Sequence, residues 1–225
     1  MIVVTGASRG LGRAICDRLL QSNIEVFGLA RDTSGLPFPA QDCDVASYDT
    51  VKQAAKAIRR TGQPVHGLIN AAGIASMNLA LTTPESVSQR IMATNLLGTI
   101  YCCQHFAPLM IRNRGGAIIN FSTIAVALGL KGESIYAASK AGVEGFTRAF
   151  AREMADFGVN VNCIAPGPID TSLLKGITPA QIANIVAQQI IPTQFTADAV
   201  CDLTELLLDP KSRSLSGQIL NVGGV

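Results

Sequence analysis

Tyr136 and Lys140 stand four residues apart at the start of a stretch that reads as a helix, so their side chains share one face. Reducing a carbonyl requires a proton for the oxygen as hydride reaches the carbon. A phenol with its ordinary pKa of about 10 does this poorly at neutral pH unless its anion is stabilised, and a nearby ammonium is a group that stabilises it. The pair therefore suits proton exchange with a carbonyl or an alcohol. Its bland counterpart is a core or surface aromatic beside an unrelated lysine. A second signal opens the chain, Thr5-Gly6-Ala7-Ser8-Arg9-Gly10-Leu11-Gly12. A phosphate needs close backbone and N–H groups aimed at it, and both favour glycine at a helix N-terminus. An ordinary glycine-rich turn would look similar, but this one stands between an apolar strand and a helical pattern, the context a dinucleotide turn requires.

The elements that must hold these groups alternate along the chain. Met1–Thr5, Glu25–Ala30, Gly67–Asn70, Gly116–Phe121, Val159–Ile164 and Gln218–Val222 read as strands. Helical spacing runs over Gly10–Gln21, Val51–Arg60, Pro84 to about Arg112, Ser134–Phe157 and Ala197–Leu208. Runs such as Ile2-Val3-Val4 and Ala117-Ile118-Ile119 are apolar on both faces, as buried parallel strands are. The expectation is an α/β fold, one Rossmann-type doubly wound parallel sheet with helices on both faces, spanning 1–225 as a single domain.

Composition narrows the function classes. With 48% apolar and 15% charged residues the chain is globular, not disordered. A net charge of +2 and no basic run longer than Arg59-Arg60 argue against nucleic acid or a membrane surface as the main partner. Six scattered cysteines without a Cys-x-x-Cys pair read as reduced core residues. Met1 leads straight into a strand, and no apolar run is long enough to span a bilayer, so a cytoplasmic protein is expected. His66 and His105 belong to no acidic cluster, and no metal is expected.

The glycine spacing is Gly-x-x-x-Gly-x-Gly, and here the sequence resembles the short-chain dehydrogenase/reductase family, whose turn reads TGxxxGxG. Further landmarks follow in order over nearly the whole chain: Asn70-Ala71-Ala72-Gly73, Asn95, Tyr136-Ala137-Ala138-Ser139-Lys140 and Pro166-Gly167. The resemblance implies a nicotinamide cofactor held by Gly6, Ser8, Arg9, Gly10, Leu11, Gly12, Asn70, Ala71 and Gly73. It also implies Asp44 and Val45 at the adenine, and Pro166, Gly167, Ile169 and Thr171 at the nicotinamide amide. Lys140 would hold the nicotinamide ribose, and Asn95 a proton-relay water. The family's serine, thirteen residues before the tyrosine, is Thr123 here, with Ser122 one residue earlier. Successive strand residues face opposite sides, so only one of the two hydroxyls can reach the carbonyl, and spacing favours Thr123. The second asparagine of the family's Asn-Asn-Ala-Gly is Ala71 in this chain.

Cofactor choice turns on the residues after the second strand. Arg31 closes that strand and Arg9 could approach the same point, which favours the 2′-phosphate of NADP(H). Asp32, about twenty residues past the turn, speaks for NAD(H). Only twelve residues separate Arg31 from Asp44, with Gly35, Pro37 and Pro39 among them, too few for the helix relatives carry there. Between Thr171 and Thr196, Leu173, Leu174, Ile177, Ile182, Ile185, Val186, Ile190 and Ile191 make an apolar segment. In relatives it is a lid, here about 172–196; the alternative is plain packing onto the body. The pattern looks most like the branch that reduces 3-oxoacyl groups on acyl carrier protein or coenzyme A, although Asn221-Val222-Gly223-Gly224 lacks the acid of Asp-Gly-Gly. A reductase of polyols, steroids or xenobiotic ketones keeps the same chemistry. A non-catalytic cofactor-binding scaffold is the alternative of another class. The family implies a homo-oligomer, tetramer or dimer.

Overall fold

The computed structural model describes residues 1–171, 174 and 176–225. Seven strands form one sheet: β1 (Ile2–Thr5), β2 (Val26–Ala30), β3 (Ala40–Asp42), β4 (Gly67–Asn70), β5 (Gly116–Phe121), β6 (Val159–Pro166) and β7 (Ile219–Val222). Their order is β3-β2-β1-β4-β5-β6-β7, and every pairing is parallel. From β1 the chain winds outward through β2 to β3, then returns to β4 on the other side and winds the opposite way. That reversal opens a crevice beyond the carboxyl ends of β1 and β4, where ligands of such sheets bind.

Successive side chains of each strand enter opposite layers. Val3, Leu68, Ile118 and Val161 pack under α2 (Tyr48–Thr61), α4 (Gly98–Arg112) and α6 (Ser134–Met154). Their neighbours Val4, Ile69, Ile119 and Ile164 pack under α1 (Gly10–Gln21) and α8 (Ala197–Leu208). Helix signals in the chain set the ends of α2: Ser47 caps its start by accepting from the Thr50 amide, and Gly62 closes it with φ 73°. On the outer side Arg18 of α1 pairs with Asp198, Asp202 and Glu205 of α8 and ties the two helices together.

Several elements depart from the sequence expectation. The single helical run from Pro84 is two helices, α3 (Glu85–Met92) and α4, joined by a wide π-type turn at Ala93–Leu97 that carries Asn95. Helix α6 ends at Met154 and a 3₁₀ turn, Ala155–Phe157, completes the predicted stretch. Strand β3 and the short helix α5 (Ala125–Leu128) have no periodic signal of their own, and helix α7 (Pro179–Val186), with Ile182, Ile185 and Val186 at helical spacing, lies inside the expected lid. Between β2 and β3 the chain makes only turns, and Phe38 from this loop fills the space over Gly28, where a Cβ would lie 2.8 Å from its ring. The Arg13 guanidinium sits 5.6 Å from the centre of the same ring. Among the described residues no helix is long and apolar enough to cross a membrane, all six cysteines are buried and unpaired, and no group of three or more His, Cys, Asp or Glu could hold a metal.

Candidate active site

A cleft of about 1010 Å³ lies along the carboxyl edge of the sheet. Gly6, Ser8, Arg9, Gly10, Leu11, Gly12, Arg31, Asp44, Val45, Ala71 and Gly73 line it towards β1–β4. Thr123, Tyr136, Lys140, Pro166, Gly167, Ile169 and Thr171 line it towards β5 and β6. Asn70 and Asn95 do not reach it; both are buried behind its wall.

The glycine turn has the form of a phosphate cradle. Gly6 takes φ +69°, and a Cβ there would lie 2.9 Å from the Ala72 backbone. Gly12 lets α1 rest directly on β1, since its Cβ would stand 2.5 Å from the Gly6 carbonyl oxygen. At Gly10, among the described residues, only the Thr171 Cβ comes within reach of an added methyl, at 3.7 Å. No side chain caps α1 and its first turn holds no acid, which leaves amide donors and a positive helix end for an anion. These residues fit a dinucleotide pyrophosphate.

At the other end, α6 presents Tyr136 and Lys140 one turn apart, 7% and 4% exposed. Lys140 Nζ donates to the Phe121 carbonyl at 2.8 Å. Burial lowers the pKa of Lys140 to about 8. Burial also raises the Tyr136 phenol well above its ordinary value, the Glu133 charge adds to this, and a hydrogen bond with Thr123 works against it. Lys140 is not among the groups that shift the phenol in this arrangement; its ammonium is held on the Phe121 carbonyl. A phenol kept protonated is nonetheless the form that proton donation needs.

The two neighbouring hydroxyls point in different directions. Thr123 Oγ1 accepts from the Ala125 amide at 3.2 Å, so its own hydrogen is left for the Tyr136 side. Ser122 Oγ donates to Glu144 at 2.7 Å, on the flank of α6. Thr123→Ala is expected to lower kcat by about 10²-fold, as loss of an oxyanion donor does. Ser122→Ala is expected to keep kcat within about threefold while costing about 1–2 kcal/mol of stability, since the Glu144 carboxylate is left with Arg148 alone. Parallel kinetics and melting curves check both; the reverse pattern would move the role to Ser122.

Asn95 is wholly committed. Its side chain accepts from the Ile74 amide at 2.9 Å and donates to the Ile74 carbonyl at 2.9 Å and to Ser139 at 3.0 Å. Its main-chain carbonyl takes the Thr99 hydroxyl at 2.8 Å. It therefore fixes the backbone that continues the Asn70–Gly73 wall. Asn70 donates to Asn120 at 2.9 Å, and Asn120 to Thr147 at 2.9 Å, so this chain of amides joins β4, β5 and α6 beneath the cleft. Towards the expected lid, Leu174, Ile177 and Ile185 line the cleft while Ile190 and Ile191 are exposed. Ser172 and Leu173 lie outside the described residues. Glu133, Leu130 and Arg90 also line the cleft and no motif had pointed to them; for Glu133 the available signal was its place three residues before Tyr136.

The nucleotide-type crevice and the buried Tyr–Lys pair define a dehydrogenase-like site, and residues 1–182 match the short chain dehydrogenase family. The chain belongs to that family of oxidoreductases acting on alcohol and carbonyl groups. Among curated relatives it is 33% identical over 236 residues to the 3-oxoacyl-[acyl-carrier-protein] reductase FabG of Staphylococcus epidermidis, covering 99% of this chain and 96% of the relative. It is 34% identical over 234 residues to carbonyl reductase family member 4 of Danio rerio, covering 100% and 96%. Among solved structures the ligand-free aldohexose dehydrogenase of Thermoplasma acidophilum superposes with TM-score 0.89 at 28% identity, covering 99% of this chain and 92% of that one.

Proposed function

We propose that this chain uses NADPH to reduce the 3-oxo group of an acyl thioester, carried on acyl carrier protein or coenzyme A, to the 3-hydroxyacyl form. The observation that carries this reading is the apolar wall of Leu130, Leu174, Ile177 and Ile185 in the cleft that holds Thr123 and Tyr136. An acyl chain is covered by such a wall, whereas a polyol would need polar partners along it. The 3-oxoacyl-[acyl-carrier-protein] reductases among the relatives support the same substrate class.

The nicotinamide, when bound, supplies the hydride. Tyr136 donates its phenolic proton to the substrate oxygen, and Thr123 donates a hydrogen bond to that oxygen and orients it. Lys140 keeps two N–H donors beyond the one on Phe121, for the ribose hydroxyls and for resupply of the proton to Tyr136. Gly6, Ser8, Arg9, Gly10, Leu11 and Gly12 hold the pyrophosphate, and Asp44 and Val45 the adenine. Pro166, Gly167, Ile169 and Thr171 hold the nicotinamide amide. Asn95, with Asn70, Ala71 and Gly73, keeps the wall between them in place. The lid of about 172–196 closes a single domain of 225 residues, which we read as a cytoplasmic homo-oligomer, a tetramer or dimer.

The 2′-phosphate assignment rests on what the two acids after β2 are doing. Asp32 accepts from the Ser34 amide at 2.9 Å and its hydroxyl at 2.6 Å. Asp42 accepts from the Thr33 amide at 2.9 Å and its hydroxyl at 2.7 Å. Both carboxylates serve the loop, and Arg31 is left exposed in the cleft. Arg31→Asp is expected to lower kcat/KM with NADPH by about 10–100-fold relative to NADH, since a charge-assisted contact is lost and a repulsion added. An unchanged NADPH/NADH ratio would remove Arg31 from the assignment.

Oxidation of an aldose or another alcohol is the second reading, favoured by the likeness to an aldohexose dehydrogenase and by the polar Glu133 in the cleft. Steady-state comparison of acetoacetyl-CoA with NADPH against D-glucose with NADP⁺ separates the two. The thioester is expected to have the higher kcat/KM by at least about 100-fold, equivalent to about 3 kcal/mol of transition-state binding. The opposite order would replace the thioester by the sugar.

A further inference from the structure

We propose that Glu133 makes the substrate end of the cleft selective for uncharged carbonyl compounds, 3-oxo esters and thioesters, over 3-oxo acids. This rests on the reading of Tyr136 as the proton donor and extends it from reaction to substrate class. Glu133 occupies the N-cap position of α6, three residues before Tyr136, so the two side chains leave one face of the helix entrance. Its side chain does not cap the helix. Its backbone carbonyl accepts from the Ala137 amide at 2.7 Å, but among the described residues nothing hydrogen-bonds or ion-pairs with its carboxylate. The residue is partly buried in the cleft wall beside Leu130.

The ionisable groups around it do not neutralise it. Lys140 directs one N–H to the Phe121 carbonyl and forms no ion pair with Glu133 among the described residues, and Tyr136 offers no opposite charge. Arg90 lines the cleft from α3, a different element, and pairs with no acid among the described residues. Burial raises the carboxyl of Glu133 above its ordinary value, as expected for an acid facing no cation. Its charge is also felt by the Tyr136 phenol, which places the carboxylate's field at the reacting hydroxyl.

A substrate oxygen bound at Tyr136 brings the rest of the substrate into that field. In a 3-oxo acid the carboxylate carbon lies about 2.5 Å from the carbonyl carbon, two bonds away. A second negative charge is then forced close to Glu133 in a partly desolvated site, where like charges repel far more than in water. A thioester or ester has the same carbon skeleton and no charge at that position. Rejection by an unpaired fixed charge is how a site discriminates between ligands that are otherwise of the same shape.

The test compares acetoacetate with ethyl acetoacetate at pH 8 and saturating NADPH, for the wild type, E133Q and E133S. Each ketone is read as kcat/KM or, where it binds without turnover, as an inhibition constant. Serine is a good helix cap, so E133S guards against a folding defect in E133Q. Both variants are expected to improve acetoacetate by about tenfold or more, equivalent to about 1.4 kcal/mol, while ethyl acetoacetate stays within about threefold. E133D, which restores the charge, is expected to return the wild-type ratio. Equal changes for both ketones, or no change for either, would overturn the role of Glu133. Acetoacetyl-CoA measured in the same series keeps the two readings apart. A shifted acid-to-ester ratio in an enzyme that ignores acetoacetyl-CoA would support Glu133 and count against the thioester.

Discussion

Tyr136→Phe is expected to lower kcat for carbonyl reduction by about 10³-fold with little change in NADPH affinity. The substitution removes one oxygen from a side chain that is 7% exposed, so the ring keeps its packing and only the proton donor is lost. General acid–base catalysis by one positioned group is worth about 10²–10⁴-fold. Because the phenol acts on the substrate and not on the nucleotide, quenching titrations with NADPH should give nearly the wild-type dissociation constant. Residual turnover within tenfold of the wild type would mean that another group delivers the proton, and Thr123 would be the first to examine.

Gly12→Ala is expected to have the second large effect, on binding and folding together. The three atoms nearest the added methyl are all main chain: the Gly6 oxygen at 2.5 Å, the Gly6 carbonyl carbon at 2.8 Å and the Thr5 oxygen at 3.0 Å. None of these can swing aside, so α1 must lift from β1. Overpacking of this kind costs about 1–3 kcal/mol or more, and a protein of this size loses about 2–4 °C in Tm per kcal/mol. The same shift carries the α1 amide donors away from the cleft, so NADPH affinity should fall by at least about 30-fold. Gly10→Ala is the informative contrast. Among the described residues only the Thr171 Cβ comes within reach of its added methyl, and its φ of +57° imposes a local backbone strain of about 1–2 kcal/mol without displacing the helix. If Gly12→Ala bound NADPH like the wild type, the close approach of α1 to β1 would not be what builds the cradle.

Most of the framework was legible because its signals are local. Unbroken burial along continuous apolar runs such as Ile2-Val3-Val4 marks a strand covered on both faces, and helix α1 begins and ends where its periodicity does. Strand β3 escaped notice because Ala40–Asp42 is three residues long and only partly buried, and it forms through pairing with β2 rather than through its own pattern. The π-type turn at Ala93–Leu97 was hidden inside a helical run, since one extra residue per turn leaves no mark on apolar spacing over so short a distance. At the site, motif spacing located Tyr136, Lys140 and the glycine turn. Spacing could not foresee that Asn95 spends its side chain on Ile74 and Ser139, because that depends on where distant backbone comes to rest, nor that Asp32 turns onto Ser34 two residues on rather than into the cleft. Glu133 is silent in the sequence for a different reason: it belongs to no motif, and the role proposed for it depends on its carboxylate having no partner among the described residues.

The most direct test of the whole account is the fate of the hydride. The enzyme is mixed with acetoacetyl-CoA and NADPH deuterated at C4 on the transferable face, and the product is analysed by mass spectrometry. Transfer to the substrate predicts 3-hydroxybutyryl-CoA carrying one deuterium at C3, formed in step with NADPH oxidation and lost in Tyr136→Phe. A folded protein that binds NADPH yet leaves acetoacetyl-CoA unreduced and unlabelled would contradict the assignment of this chain as a 3-oxoacyl thioester reductase.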